Sequence, residues 1–255
     1  MSAISSSEVN RLNILALDST AVTASVAVTR DETTLASARA NNGLTHSEIL
    51  LPMAESMLDA AGVTLDDIDL FACTAGPGSF TGVRIGTATV KGLAFGRGKP
   101  CVGVSTLEAL AEGLAPLPGI LIGVMDARRA QVYCGIFTFS ESTLIRLAPD
   151  RAMSLSDLVT EVMRDYPDKT VYLAGDGYDL AYAAFLSAGC RGLAVTPPAL
   201  RAQDAAAVAR CALRAAHRGS TVTDDELRPV YLRLPQAERD LIEKEKNKEQ
   251  NHDEA

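Results

Sequence analysis

The sequence contains no tryptophan, and aromatic residues make up only 5% of its 255 positions. A chain so poor in aromatic side chains lacks the stacking platforms with which proteins hold single-stranded nucleic acid. Positive charge is also scarce, because 24 lysines and arginines stand against 32 acidic residues and leave a net charge of -8. This balance argues against a protein that grips nucleic acid or an anionic membrane over its whole surface. No apolar run reaches the ~18 residues of a membrane span, so no membrane partner is expected.

Cysteine and histidine are too few and too scattered for a disulfide framework or a metal centre. The five cysteines form neither a CxxC pair nor a Cys/His cluster, and we interpret each as a small buried apolar residue. His46 is the only histidine near a motif, and a metal-binding helix would need a second histidine where Leu50 stands. No metal ligands are therefore predicted. The Ser-rich stretch 1–10 has no basic start and no apolar run, so it is no signal peptide and a cytoplasmic location is expected.

Apolar periodicity and turn residues predict an α/β chain. The order up to residue 114 is βββαβαβα, an opening meander followed by strands that alternate with helices and should be parallel. The pattern partly repeats after residue 120, with a third strand over 143–147 and a short strand over 193–195. We expect two halves, over 11–105 and 106–235. The tail over 236–255 carries 11 charged residues in 20 and is interpreted as a frayed helix or as disordered.

The most informative motif is GPGSFTG over 76–82, between a predicted strand and a predicted helix. Such a position suits phosphate binding, because a helix N-terminus offers free N–H groups and the positive end of its dipole. The segment does not match the specific nucleotide-binding or hydrolase motifs. No lysine follows as in a Walker A loop. Pro77 removes an N–H group that a dinucleotide-binding turn would use, and it stands where the hydrolase motif G-x-S-x-G has its first glycine. A generic phosphate cradle stays open, with Asp18, Ser19 and Thr20 presenting a carboxylate to Mg²⁺ and hydroxyls to phosphate. A turn-forming cap is the simpler alternative.

Two predicted helices have faces whose composition predicts packing contacts beyond those with one sheet. The helix from His46 to about residue 61 follows a capping box at Thr45 and has an apolar arc wider than one sheet contact requires. In the next helix Gly82 and Gly86 form a small-residue face. Each interior glycine costs a helix about 1 kcal/mol against alanine, so the close approach of another backbone is expected. That backbone belongs either to the same chain or to a partner, and both alternatives stay open.

Arg210, Arg214 and Arg218 form a basic stripe on the last strongly predicted helix. A solvated helix face is the simpler explanation, and a nucleic-acid contact is the alternative. A Ser-His-Asp arrangement using Ser79 and His46 has no supporting context.

Taken together, the motifs resemble the bacterial TsaB family, also called YeaZ. The resemblance covers about residues 12–235, and the segment over 76–86 is its most specific signature. The matching segments occur in order: ILALDST (14–20), HSE (46–48), GPGSFTGVRIG (76–86), KGLA (91–94), VSTL (104–107), DAR (126–128) and PVYLR (229–233).

This resemblance implies an actin-like or Hsp70-like ATPase fold of two RNase H-like βββαβα halves. It also implies a chain without chemistry of its own, which pairs with TsaD, the transferase that adds the threonylcarbamoyl group to the adenosine beside the tRNA anticodon. A small ATPase, TsaE, joins that assembly. The transferase binds a metal through an H-x-x-x-H helix, and Leu50 breaks this motif here. No catalytic residue and no cofactor are assigned to this chain. ATP or ADP is expected only within the partner complex, and tRNA mainly on the partner.

The resemblance places the pairing surface on the two N-terminal helices, which should also form a homodimer when the partner is absent. The predicted interface residues are His46, Leu50, Met53, Met57, Ser79, Phe80, Gly82, Arg84 and Gly86. On this basis Gly86→Leu should abolish partner binding. The candidate nucleotide or phosphate residues are Asp18, Ser19, Thr20, Gly76 and Gly78.

The main hypothesis is therefore a non-catalytic scaffold that activates the transferase. The alternatives are an ATP-dependent or peptidase-like enzyme of the same superfamily, and a nucleic-acid-binding module built on the arginine stripe.

Overall fold

The structure is a computed structural model that describes residues 11–115 and 117–233. The predicted tail over 236–255 lies outside these residues. The strands described are β1 (Asn13–Asp18), β2 (Ala24–Arg30), β3 (Thr33–Ala40), β4 (Leu70–Gly76), β5 (Cys101–Ser105), β6 (Ile120–Asp126), β7 (Gln131–Ser140), β8 (Thr143–Ser154) and β9 (Val171–Ala174). The helices are α1 (His46–Ala61), α2 (Phe80–Ala94), α3 (Thr106–Gly113), α4 (Leu155–Asp165), α5 (Tyr178–Ser187) and α6 (Ala205–His217).

The first sheet has the strand order β3-β2-β1-β4-β5. Its first three strands form an antiparallel meander, while β4 and β5 run parallel to β1 because α1 and α2 carry the chain back across the sheet. The predicted βββαβαβα order and the parallel later strands are confirmed. The capping box is also confirmed, since the Thr45 N–H donates to the Glu48 carboxylate over 3.0 Å.

The second sheet has the order β8-β7-β6-β9, with β9 parallel to β6. The strand predicted over 143–147 is too short, because β8 continues to Ser154 along the length of β7 and absorbs register shifts beside Gly135. The strand predicted over 193–195 is wrong in extent: Leu193 makes one isolated bridge to Val171.

The helices and sheets stack in five alternating layers. α1 and α2 cover one face of the first sheet; α3 and α6 lie between the sheets, and α4 and α5 cover the outer face of the second. The α6 sequence is rich in alanine, and its buried alanines let the helix approach the first sheet closely. α6 therefore packs on the sheet of the other half, and the residue boundaries given to the halves remain a prediction. This layering is the actin-like ATPase architecture that the resemblance implied.

Candidate functional site

A cleft of about 680 Å³ opens where the carboxyl ends of β1 and β4 face those of β6 and β9. In α/β sheets the carboxyl ends of the strands are the usual place for a ligand. The cleft is lined by Thr20, Ala21, Val22, His46, Gly78, Ser79, Phe80, Met125, Asp126, Ala127, Arg128, Tyr133, Asp176, Tyr231 and Arg233.

The carboxylate of Asp18 lies below this cleft rather than in it. Asp18 is 1% exposed, and its Oδ1 accepts hydrogen bonds from the Thr20 N–H (2.9 Å) and the Thr20 hydroxyl (2.7 Å). Burial raises the pKa of Asp18 to about 6, although the bonds from Thr20 act in the opposite direction. Asp18 and Ser19 are absent from the cleft lining. Their prediction as nucleotide residues is therefore not supported by their position, whereas Thr20 does reach the cleft.

The glycine-rich turn after β4 is used for close packing. The N–H of Ser79 donates to the Thr20 carbonyl over 2.7 Å. A Cβ atom at Gly78 would lie 2.5 Å from that same carbonyl oxygen, and one at Gly76 would lie 2.3 Å from the Val230 carbonyl oxygen. Gly76 is thus covered by the chain itself and does not line the cleft, which corrects its assignment as a phosphate residue. Gly78 does line it.

The small-residue face of α2 packs against the turn that follows β1. A Cβ atom at Gly82 would lie 2.0 Å from the Ser19 carbonyl oxygen, and one at Gly86 would lie 2.5 Å from Ser19 Oγ. Ser19 Oγ also donates to the Gly82 carbonyl over 2.8 Å. The backbone whose approach these glycines permit therefore belongs to the same chain. Placing Gly82 and Gly86 on a partner surface is wrong, because their own chain already covers them.

Leu50 needs the same correction, because it is 1% exposed and packs in the core beneath α1. The other predicted interface residues keep some exposure. Met53 and Met57 are half-buried and line an apolar groove between α1 and the edge strand β3. His46 lines the cleft, where its Nε2 lies 2.7 Å from the Ala21 carbonyl oxygen.

Ser79, Phe80 and Arg84 lie at the start of α2, at the mouth of the cleft. The Arg84 guanidinium sits 3.9 Å from the centre of the Phe80 ring. Its Nε donates to the Tyr231 hydroxyl over 3.0 Å, and the Phe80 and Tyr231 rings are 5.0 Å apart.

The segment 229–233, here called the C-terminal strap, crosses from one side of the cleft to the other. At one end the Val230 N–H donates to the Ala75 carbonyl over 2.7 Å. At the other end Arg233 donates to the Ala127 carbonyl over 3.0 Å. Sequence reasoning found these residues only as part of the resemblance. The signal available was a short apolar segment after the last helix that had no strand partner assigned.

The second sheet contributes a loop with unusual backbone geometry. Arg128, Arg129 and Ala130 have φ of 66°, 55° and 55°, each in the left-handed region that costs a non-glycine residue about 1 kcal/mol. The Arg128 N–H donates to Asp126 Oδ1 over 2.7 Å, and the Asp126 N–H donates to Asp176 Oδ1 over 3.1 Å. The pKa of Asp176 is raised, first because its carboxyl is withdrawn from solvent. Sparsely populated backbone conformations of this kind concentrate at functional sites.

Comparison with known proteins identifies the family. The family model described as TsaD, tRNA N6-adenosine threonylcarbamoyltransferase, matches residues 40–239. The tRNA threonylcarbamoyladenosine biosynthesis protein TsaB of Escherichia coli is 34% identical over 231 residues, which cover 87% of this chain and 95% of that protein. The chain belongs to the TsaB (YeaZ) family. The structure of YeaZ from Pseudomonas aeruginosa superposes with a TM-score of 0.71 at 28% identity, covering 87% of this chain and all of that one.

An individual transferase matches over a shorter span than the family model does. The tRNA N6-adenosine threonylcarbamoyltransferase of Novosphingobium aromaticivorans is 33% identical, but the alignment covers 52% of this chain and 36% of that protein. The alignment with the Escherichia coli TsaB therefore covers more of both proteins than the alignment with this transferase does.

Two of the three arginines in the stripe of this TsaB-family chain form ion pairs with one buried glutamate. Glu112, on α3, accepts from Arg210 over 2.9 Å and from Arg214 over 2.7 Å. Arg218, at the end of α6, is exposed. Two of the three arginines thus hold α6 against α3, which removes the basis for a nucleic-acid platform on this helix.

Within the described ranges, no three His, Cys, Asp or Glu side chains lie close enough together to hold a metal ion. No helix there is both long and apolar enough to cross a membrane.

Proposed function

We propose that this protein serves the synthesis of threonylcarbamoyladenosine in tRNA as a non-catalytic subunit that binds a TsaD-type transferase. Membership of the TsaB family supports the place in tRNA modification, because its Escherichia coli relative carries that name. The observation that carries the non-catalytic role is the burial of Leu50. It stands where the resemblance implies the second metal-binding histidine of the transferase, and it is 1% exposed in an apolar core.

The packing of the turns after β1 and β4 supports the same proposal. The Asp18 carboxylate is buried, Gly76 is covered by the C-terminal strap, and the Ser79 N–H is bonded to Thr20. The groups expected to meet Mg²⁺ and phosphate are therefore largely engaged in contacts within the chain, and Asp18 Oδ2 alone of the carboxylate has no hydrogen-bond partner among the described residues. An ATP-dependent enzyme, the alternative function, is not favoured by this arrangement.

The outer faces of α1 and α2 are the surface that we assign to the transferase. Leu51 on α1 is 45% exposed, and Phe95 at the end of α2 is 74% exposed. On its outer face α2 exposes Thr81, Ala88 and Gly92, which recur at helical spacing. Their small side chains leave room for another helix. Exposed apolar patches of this kind mark protein–protein contacts. The same face would join two copies of the chain in a homodimer, and a TsaE-type ATPase would join the complex.

The test places a bulky charge at the centre of this face. Ala88→Arg should lower the affinity for the transferase of the same organism at least tenfold in calorimetry, because a guanidinium would be buried without a partner. It should also lower tRNA modification in a reaction reconstituted with the purified proteins. Ala183→Arg is the matched control, since Ala183 is an exposed alanine inside α5. Unchanged affinity of a folded Ala88→Arg protein would contradict the surface assignment, and unchanged modification without this protein would contradict the role.

A further inference from the structure

Aromatic rings are concentrated at the cleft although the chain as a whole has few. Phe80, Tyr133 and Tyr231 line it and come from three distant parts of the sequence. Tyr231 is 41% exposed, and the Phe80 ring packs beside it with 5.0 Å between the ring centres. Exposed aromatic rings accept nucleobases of any sequence by stacking.

Four arginines lie in or beside the same opening. Arg128 and Arg233 line it, Arg84 contacts two of its lining residues, and Arg129 follows Arg128 in the chain. Arg128 and Arg129 are exposed, and neither side chain makes a hydrogen bond or an ion pair with other described residues. Arg84 and Arg233 donate to neutral acceptors, the Tyr231 hydroxyl and the Ala127 carbonyl. Among the described residues, none of the four guanidinium groups is therefore bonded to a carboxylate. Arginines in this state can pair with phosphates along a strand.

Two carboxylates, Asp126 and Asp176, also line the cleft and would repel a phosphate placed beside them. Carboxylates accept hydrogen bonds from base amino groups and from the 2′-hydroxyl of ribose. The arrangement therefore suits a ligand whose bases and sugars enter the cleft while its phosphates stay at the arginines outside. A free nucleoside triphosphate fits less well, because the turn after β4 is occupied by the chain's own contacts.

We propose that this cleft binds a single-stranded segment of RNA. A cleft of about 680 Å³ has room for a nucleobase with its ribose. Identifying the RNA as tRNA rests on the proposed function, whereas the binding itself rests on the cleft alone. The proposal changes the expectation that tRNA is held mainly by the partner: this chain would contribute a direct contact.

The test measures binding to the isolated protein by fluorescence anisotropy, with a fluorescein-labelled anticodon stem-loop RNA as the probe. R128N/R129N removes two charges, and asparagine tolerates the left-handed backbone of this loop better than arginine does. The double variant should weaken binding at least tenfold at low salt and lower the slope of log K against log salt by about 1.4. R191N/R218N, which removes two exposed arginines near the amino ends of the strands and away from the cleft, should bind within twofold of the wild type.

A second variant tests stacking rather than charge. Tyr133→Leu keeps an apolar side chain on β7 and should weaken RNA binding about fivefold or more with little change in the salt slope. The deoxyribose version of the probe should bind more weakly, because the carboxylates lose their 2′-hydroxyl partners. No measurable RNA binding, equal losses in R128N/R129N and R191N/R218N, or equal affinity for the deoxyribose probe would overturn the proposal. Transferase binding is measured separately with Ala88→Arg, so failure of either idea can be told from failure of the other.

Discussion

The buried carboxylate of Asp18 destabilises the folded protein at neutral pH, and Asp18→Asn should remove this cost. The substitution preserves shape and leaves Oδ1 to accept the two hydrogen bonds from Thr20. It removes the charge and replaces Oδ2, which has no hydrogen-bond partner among the described residues, by an amide NH2 group. The variant should therefore be more stable than the wild type above pH 6, although a buried polar residue has been changed.

The magnitude follows from the pKa. Burial raises the pKa of Asp18 from 3.8 to about 6, and each unit corresponds to about 1.4 kcal/mol. The folded protein therefore holds this proton more tightly than the unfolded chain does. The cost is absent below about pH 4, grows as the pH rises through the interval between the two pKa values, and reaches about 3 kcal/mol above pH 6. The increase in the free energy of unfolding from Asp18→Asn should have the same pH dependence as this cost.

Urea unfolding of the wild type and of Asp18→Asn at several pH values between about 4 and 8 gives this difference directly. Asp168→Asn serves as the control, because Asp168 is exposed in a turn and its charge is in water. A variant that is less stable than the wild type at pH 8 would contradict the cost assigned to the buried Asp18 carboxylate. A gain that does not change with pH would refute it as well, since only the titration of a buried carboxylate gives that dependence.

Two further substitutions test the packing around the site. Gly86→Leu should destabilise the chain by about 1–3 kcal/mol in thermal unfolding, because a Cβ atom at this position would lie 2.5 Å from Ser19 Oγ. A variant with wild-type stability that no longer binds the partner would instead show that Gly86 belongs to the partner surface. Glu112→Ala should cost about 3–5 kcal/mol in urea unfolding, because it leaves Arg210 and Arg214 without their shared carboxylate. The conservative Glu112→Asp should lose less, and an equal loss would argue against an ion-pair effect.

Local sequence patterns predicted most of the secondary structure. The capping box at Thr45 and the apolar periodicity after it placed α1, and the alternation of strands with helices gave the parallel part of the first sheet. These features depend on neighbours within a few residues. The extent of β8 depended instead on how far β7 continues beside it, which a local pattern does not contain.

The partner surface was harder to predict, because periodicity shows that a helix face is covered but not by what. Leu50, Gly82 and Gly86 have the apolar or small side chains of an interface, and the chain itself covers all three. The arginine stripe has the same limitation: the acid that binds Arg210 lies 98 residues away on α3. Overall composition was likewise uninformative about the cleft, where rings and arginines from separate segments meet.

The C-terminal strap has a consequence for the order in which the protein is made and assembled. Val230 covers Gly76, so the turn after β4 reaches its final surroundings only when the chain has been synthesised as far as the C-terminal strap. α6 completes the inner face of the first sheet equally late. Contacts between such distant residues form slowly, because a long stretch of chain must be closed first. Early in synthesis the first half therefore exposes apolar surface, and both the cleft and the adjoining start of α2 are completed last.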